Sequence, residues 1–226
     1  MDKEISNQKI EFFQEEIIKW YKINGRKFMW RQDGLTHYQY VIAEVLLQRT
    51  KAETVAKFYP IFLNNFPNWI SLVNSDIQKI ENYLKPVGLY KQRSKRLYSL
   101  AQEMVKRDEK IPTDRKELES IPFFGQYIAN AIELIIFKKP KPLMDVNMAR
   151  VLERFFGERK MVDIRYDPYL QALSYKIVNK DQAKDINWGI LDFAAIVCKA
   201  VRPLCYKCSL NIYCKYNILH TGQFPL

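Results

Sequence analysis

The chain has 226 residues, of which 48% are hydrophobic and 14% aromatic, so it can bury a core and does not belong to the disordered class. Its net charge of +11 predicts a polyanionic partner, with nucleic acid favoured over a membrane surface or a ribosomal assembly. The amino-terminal segment lacks an apolar signal region, and no apolar run reaches the length of a spanning helix. The sequence therefore predicts a soluble, cytoplasmic protein with no membrane contact.

Apolar residues recur at helical spacing along the chain, and no segment shows the alternation typical of a strand. The predicted helices cover residues 10–21, 38–46, 54–64, 76–84, 92–106, 114–120, 126–135, 146–156, 167–178 and 187–198. Proline and glycine residues separate these segments, as expected of loops between helices. The sequence therefore predicts an all-α fold.

A helix-hairpin-helix is predicted in the middle of the chain. The first helix starts at Thr113 or Asp114 and stops before Pro122, and the second starts near Gln126. Backbone N–H groups at such a turn and at the following helix N-terminus suit a phosphate, so Gly125 and Gln126 are predicted to contact DNA. Further along, Asp145 follows a proline-rich turn and precedes a helix.

Four cysteines, spaced C-x6-C-x2-C-x5-C, lie close together near the carboxyl end. Four thiolates at this spacing can wrap one compact metal centre, and they are too clustered for a disulfide framework. From the residues alone, structural zinc and free core cysteines remain as alternatives to an iron–sulfur cluster. The predicted ligands are Cys198, Cys205, Cys208 and Cys214.

These features together resemble the helix-hairpin-helix superfamily of base-excision DNA glycosylases, in particular its MutY-like adenine and mismatch-thymine branches. The resemblance implies that the cysteines bind a [4Fe–4S] cluster. It also implies two helical domains, a six-helix barrel of residues 28–137 and a cluster domain of residues 1–27 and 138–226. The active site would lie in the cleft between the two domains.

The resemblance implies four catalytic residues. The segment D-V-N-M-A-R-V matches that of the catalytic aspartate, so Asp145 would stabilise a cationic sugar, with Asn147 holding the carboxylate or the sugar. Glu44, in I-A-E-V-L-L-Q-R-T, interrupts an apolar helix face and would act as a general acid or orient water. Tyr127 occupies the position of the Schiff-base lysine of endonuclease III-like relatives, and a tyrosine cannot form an imine.

Other positions match segments that contact DNA in these relatives. Trp30, Arg31 and Asp192 are predicted to line the base pocket, with core packing as the alternative for Trp30 and a structural role for Asp192. The predicted DNA-binding residues outside the hairpin are Gln48, Arg49, Leu89, Tyr90, Lys199, Arg202 and Lys207. The first four are candidates to fill the gap left by an extruded nucleotide.

One departure from the family concerns the hairpin, which is usually Pro-Gly-x-Gly but here reads Pro122-Phe123-Phe124-Gly125. A phenylalanine in left-handed geometry costs about 1–2 kcal/mol, so the sequence raises the possibility of a differently bent turn.

The expected function is a monofunctional DNA N-glycosylase of base-excision repair that acts as a monomer on duplex DNA containing a mismatched or damaged base. It would remove thymine or uracil opposite guanine. The alternatives are adenine excision opposite guanine or 8-oxoguanine and a non-catalytic DNA-binding protein. An electron-transfer iron–sulfur protein would instead have an acidic or neutral surface and no helix-hairpin-helix.

Overall fold

The computed structural model describes residues 5–221. The regular structure in this range is helical throughout, with no strand, so the prediction of an all-α fold is confirmed. The α-helices are α1 Asn7–Asn24, α2 His37–Leu47, α3 Ala52–Asn65, α4 Trp69–Val73, α5 Ile77–Leu84, α6 Tyr90–Lys106, α7 Arg115–Ser120, α8 Gln126–Ile135, α9 Val146–Phe156, α10 Pro168–Val178, α11 Ala183–Ile196 and α12 Lys215–Thr221. Short 3-10 turns precede α2 and α6 and lie between the cysteines.

Side-chain caps explain where several helices begin. Ser6, Asp114 and Asp167 each accept a hydrogen bond from a backbone N–H in the first turn of α1, α7 and α10, respectively. Thr36 and Gln39 form a reciprocal capping box at the start of α2. The sequence analysis missed α4 and α12, which are too short to show a helical period.

The chain divides into two compact units. Unit 2 is continuous, from Lys27 to Ile132, whereas unit 1 combines the chain up to Arg26 with the chain from Glu133 onwards. The boundary between them falls inside α8. No helix of the described range is long and apolar enough to cross a membrane.

In unit 1, α1 packs directly against α11. A Cβ at Gly189 would come within 2.8 Å of the Cγ2 atom of Ile17, so a side chain at this position would force the two helices apart. Phe13 lies between Phe155 and Phe156, with ring centroids 5.1 and 5.3 Å away, and so attaches α1 to α9 as well. Helices α1, α9 and α11 therefore share one core.

In unit 2, aromatic side chains form much of the core. Tyr38 of α2 packs edge-on against Trp69 of α4 at 4.7 Å, and Phe62 packs against Phe66 at 5.0 Å. The helices α4 and α5 both pack against α6. This core holds α2, which carries Glu44, in a fixed position.

Candidate active site

Glu44 lies on α2 among buried residues. Its side chain is only 4% exposed, because Val41, Val45 and Leu46 around it are core residues. Burial raises the pKa of Glu44 to about 7, while a hydrogen bond from the hydroxyl of Tyr40 and the positive charge of Arg31 oppose the shift. The Oε2 atom is buried and has no hydrogen-bond partner within residues 5–221. One carboxylate oxygen is therefore buried without a hydrogen-bond partner among the described residues.

Tyr40 and Tyr59 lie near this carboxyl group, and Tyr127 lies near Tyr40. Tyr40 is buried one helical turn before Glu44, and the neighbouring Glu44 and Tyr127 raise its pKa beyond the effect of burial. Burial and the charge of Glu44 likewise raise the pKa of Tyr59, whose hydroxyl donates to the backbone oxygen of Gln39 at 2.8 Å. Residues Glu44, Arg31, Tyr40, Tyr59 and Tyr127 are called the Glu44 cluster below. The structure thus brings together the predicted residues Glu44, Arg31 and Tyr127.

Trp30 is 4% exposed. One face of its indole stacks on Phe28 with centroids 4.6 Å apart, and its edge meets Tyr59 at 5.7 Å. The guanidinium of Arg31 lies over the ring of Phe28 at 5.2 Å. This arrangement fits the packing alternative for Trp30, with Phe28 as the more exposed aromatic ring of the pair.

The helix-hairpin-helix is formed by α7, the turn of residues 121–125 and α8. Phe123 takes the left-handed conformation, with φ of 73°, and its ring lies under the guanidinium of Arg96 at 5.1 Å. The turn therefore keeps left-handed backbone without glycine, at a cost of about 1–2 kcal/mol. Phe124 is buried, whereas Gly125 is exposed directly before α8. Arg115 of α7 donates to Oδ1 of Asn130 on α8 at 2.7 Å and so holds the two helices together.

Asp145 caps α9 and is bound by three donors. Its Oδ1 atom accepts hydrogen bonds from the backbone N–H groups of Asn147 at 2.9 Å and Met148 at 2.8 Å. Its Oδ2 atom accepts one from the side-chain amide of Asn147 at 2.7 Å. Burial raises the pKa of Asp145, and these hydrogen bonds together with the charge of Arg150 lower it. Capping and a fixed carboxylate are thus combined in one residue.

Arg150 connects this aspartate to the cysteines. Its guanidinium donates to Oδ1 of Asn147 at 3.1 Å and to the backbone oxygens of Ala194 and Cys198 at 3.1 and 3.0 Å. The side chain of Asn147 therefore has Asp145 on one side and Arg150 on the other. Movement of the backbone at Cys198 would be transmitted through these hydrogen bonds to the carboxylate.

The cysteine loop, residues 198–214, runs beside α9. Arg154 donates to Sγ of Cys198 at 3.4 Å and to the backbone oxygen of Lys199 at 2.7 Å, and Sγ of Cys214 donates to the backbone oxygen of Arg154 at 3.3 Å. Burial, together with the charges of the other three cysteines, raises the pKa of Cys208 to about 12. No group of three or more His, Cys, Asp or Glu side chains in residues 5–221 is arranged to hold a metal ion.

The predicted DNA-binding residues lie on the surface or near it. Arg49, Leu89 and Arg202 have left-handed backbone, with φ of 58°, 53° and 54°, and all three are exposed. Gln48 and Tyr90 are partly exposed, at the end of α2 and the start of α6. Lys199 and Lys207 are exposed on the cysteine loop.

Asp192 is fully buried on α11. Its carboxylate accepts hydrogen bonds from the backbone N–H and from Nε of Arg26, both at 2.8 Å. These bonds tie the end of the first chain segment to α11. These hydrogen bonds fit a structural role for Asp192, which was the alternative to lining the base pocket. Its contact with a base stays a prediction.

A family model described as "HhH-GPD superfamily base excision DNA repair protein" matches residues 42–165, more than half of the chain. The chain belongs to this superfamily.

Relatives extend the similarity beyond the range of the HhH-GPD model. The chain is 36% identical over 203 residues to the thymine/uracil-DNA glycosylase of Pyrobaculum aerophilum, covering 88% of each chain. It is 31% identical to the adenine DNA glycosylase of Buchnera aphidicola over 96% of this chain, but spans only 63% of that relative. A solved structure of a thermostable thymine-DNA glycosylase superposes with a TM-score of 0.85 at 30% identity, covering 93% of this chain and 97% of that one. The expected family is thus confirmed.

The HhH-GPD range contains Glu44, Tyr127, Asp145 and Asn147. Sequence analysis missed Tyr40 and Arg150, which hold these residues. Both are signalled by helical spacing: Tyr40 lies four positions before Glu44 on α2, and Arg150 lies three positions after Asn147 on α9.

Proposed function

We propose that this chain is a monofunctional DNA N-glycosylase that removes thymine or uracil opposite guanine from duplex DNA. The observation that carries the proposal is the state of Glu44: a buried carboxyl group with a pKa of about 7 and one oxygen without a partner in the described part of the chain. A carboxyl that can be protonated near neutral pH is suited to general acid–base work.

Asp145 would stabilise the transition state. As the N-glycosidic bond breaks, its electron pair leaves with the base and positive charge develops on the deoxyribose. The carboxylate of Asp145 is held by three donors and can therefore face that charge without reorganising. Asn147 is a positioning residue in this scheme, since it acts through the carboxylate.

Glu44 would serve the departing base and the incoming water. In its protonated form it donates a proton to the base, and in its ionised form it accepts one from the water that attacks C1′. The oxygen of that water ends on C1′, which leaves an abasic sugar in an intact strand. The Oε2 atom, which has no hydrogen-bond partner in residues 5–221, is the oxygen available for this exchange.

Tyr127 supports the monofunctional assignment. It belongs to the Glu44 cluster, yet a phenol cannot attack C1′ as an amine does and cannot form an imine with the sugar. The enzyme would therefore remove the base and leave strand cleavage to another activity.

The chemistry of the donor set supports a [4Fe–4S] cluster on the four cysteines, although they do not form a metal-holding group within residues 5–221. The donor set is four thiols, with Cys214 buried and the other three partly buried, and backbone N–H groups near Leu210, Tyr216 and Asn217 bond to Cys208 and Cys214, as is usual around cluster sulfurs. Cys198, Cys205, Cys208 and Cys214 would hold the cluster, whose role would be to fix the fold of the loop that carries Lys199, Arg202 and Lys207. The chemistry at C1′ does not pass through it.

We further propose that the two compact units are the barrel and cluster domains, and that the protein acts inside the cell as a monomer. A single mispaired base is an asymmetric target, which one copy can recognise. The net charge of +11 supports binding to the duplex backbone. The residues proposed to contact the DNA include Gly125, Gln126, Arg49 and Leu89.

Adenine excision opposite guanine or 8-oxoguanine is the second candidate, because the chain is also similar to an adenine DNA glycosylase. The deciding experiment is single-turnover excision across duplexes with thymine, uracil or adenine opposite guanine or 8-oxoguanine. Single turnover isolates the chemical step from product release.

Asp145→Asn and Glu44→Gln keep the shape of each side chain, and each should slow excision by about 100-fold or more. Asp181→Asn and Glu158→Gln, at exposed carboxylates, are the matched controls. If both site variants excise within about threefold of wild type, the active site lies elsewhere. If the wild type binds duplex tightly and excises nothing, the protein is a non-catalytic DNA-binding member of its family.

A further inference from the structure

Arg93 of α6 is a buried cation whose hydrogen-bond partners within residues 5–221 are all uncharged. It is 5% exposed, and its guanidinium donates to the backbone oxygen of Val87 at 3.0 Å, to that of Gln48 at 2.8 Å and to the hydroxyl of Thr50 at 2.9 Å. Thr50 in turn donates to the same Val87 oxygen at 3.3 Å. Burying a charge without a counter-ion is costly, so this arrangement needs a reason beyond packing. These four residues are called the arginine clamp.

The clamp fastens two turns that are distant in sequence. Gln48 and Thr50 flank Arg49 in the turn after α2, and Val87 lies just before Gly88 and Leu89 in the turn before α6. The backbone N–H of Arg93 also donates to the oxygen of Leu89 at 2.9 Å. One residue therefore holds both turns from the inside.

Each of these turns contains one exposed residue whose backbone is in the strained left-handed conformation. Arg49 and Leu89 are both left-handed and non-glycine, and Leu89 is 52% exposed. Such backbone persists only where the surroundings over-determine it, and it concentrates at functional positions. Arg93 supplies that constraint for both residues at once.

We infer that Arg93 is a positioning residue for nucleotide extrusion, holding Arg49 and Leu89 pre-formed as a two-part wedge. The inference rests on the proposed function, in which these residues fill the gap left by the extruded nucleotide. An apolar leucine suits the space between stacked bases, and an arginine suits a phosphate or the edge of the orphaned base. Because the wedge is already formed, the two turns lose less conformational entropy when the duplex binds.

The test is a double-mutant cycle in single-turnover excision. Arg93→Met keeps the length of the side chain and removes all donors, and it should slow excision by about 10- to 100-fold, as misplacement of remote groups does. In a background that carries both Arg49→Ala and Leu89→Ala, the same change should cost only about twofold, because both groups that Arg93 positions are already gone. Lys95→Met, on the exposed face of α6, is the control for loss of charge.

A second readout does not depend on excision. In Asp145→Asn protein, the fluorescence of 2-aminopurine placed beside the target base reports unstacking, and Arg93→Met should reduce this signal at saturating protein. If Arg93→Met does not fold, Thr50→Val removes one partner of the guanidinium and takes its place in both experiments. Multiplicative losses in the cycle, or an unchanged fluorescence signal, would overturn the inference. A wild type that unstacks the probe but excises nothing would refute the proposed function alone.

Discussion

Asn147 donates its side-chain amide to Oδ2 of Asp145 at 2.7 Å. The other oxygen of Asp145 is held by two backbone N–H groups, which no substitution of a side chain removes. A substitution at Asn147 can therefore change the pKa of Asp145 while the carboxylate itself is kept.

Replacing Asn147 with alanine should shift the pH profile of excision. A hydrogen bond to the charged form lowers a pKa, so its loss raises the pKa of Asp145, which burial has already raised. The acid limb of the single-turnover rate should therefore move to higher pH, because a hydrogen bond that favours the ionised form is lost. Asn179→Ala, at the exposed end of α10, is the control. An equal loss of rate at every pH would contradict this account.

Glu44→Gln should make the protein more stable at high pH. The folded pKa of Glu44 is about 7 against an ordinary value of 4.5, so neutral Glu44 stabilises the fold fully below pH 4.5 and this contribution is lost as pH rises through 7. Glutamine cannot ionise, and the variant should gain on the order of 3 kcal/mol relative to wild type across that window. Urea unfolding at several pH values measures the difference. Exposed Glu11→Gln should show no such trend.

Tyr127→Lys should introduce strand cleavage. A lysine amine can attack C1′ and form an imine, whereas the wild-type phenol cannot. Borohydride should therefore trap the variant on DNA that contains the target base and trap the wild type little. Tyr127→Phe separates loss of the hydroxyl from gain of the amine. Efficient trapping of the wild type would refute the monofunctional assignment.

The left-handed Phe123 can be tested with a matched pair of variants. Phe123→Ala and Phe123→Gly both remove the ring that packs under Arg96, and they differ in their tolerance of a φ of 73°. The free energy of unfolding of the glycine variant should be higher by about 1 kcal/mol, after its greater entropy in the unfolded chain is included. It should therefore unfold at a higher urea concentration than the alanine variant. A more stable alanine variant would show that the turn is not left-handed in solution.

The proposed cluster on the cysteine loop can be tested by measuring the iron content of the protein. Protein purified without oxygen should contain iron and absorb visible light, and Cys208→Ser should lose both. Because Arg154 bonds to Cys198 and Lys199, loss of the metal should also make the chain beyond Ile196 sensitive to protease. Ser209→Ala, beside a ligand, is the control. One zinc and no iron in the wild type would establish the alternative centre.

The sequence predicts local structure well where a single residue determines it. Asp114 and Asp145 start their helices as the caps indicated, and Glu44 is buried because it interrupts an apolar face. The five residues of α4 could not be predicted, since they span little more than one helical turn.

Contacts between segments that are distant in sequence could not be predicted from local sequence patterns. Arg93 reaches Gln48, and Arg26 reaches Asp192 across 166 positions, yet neither pair has a spacing that indicates contact. The strain at Phe123 was visible in the sequence, but the guanidinium of Arg96 that covers the ring was not. A buried arginine is recognisable only once its acceptors are known.

The split composition of unit 1 has a consequence for biosynthesis. α1 leaves the ribosome long before α11, whose surface around Gly189 it packs against, has been made. Unit 2 is continuous and is complete by then, so it should fold while α1 is still without its partner. Nascent chains arrested after Ile132 should therefore protect unit 2, but not α1, from protease. The proposed cluster would then be loaded only onto chains that have been translated to the end of the cysteine loop.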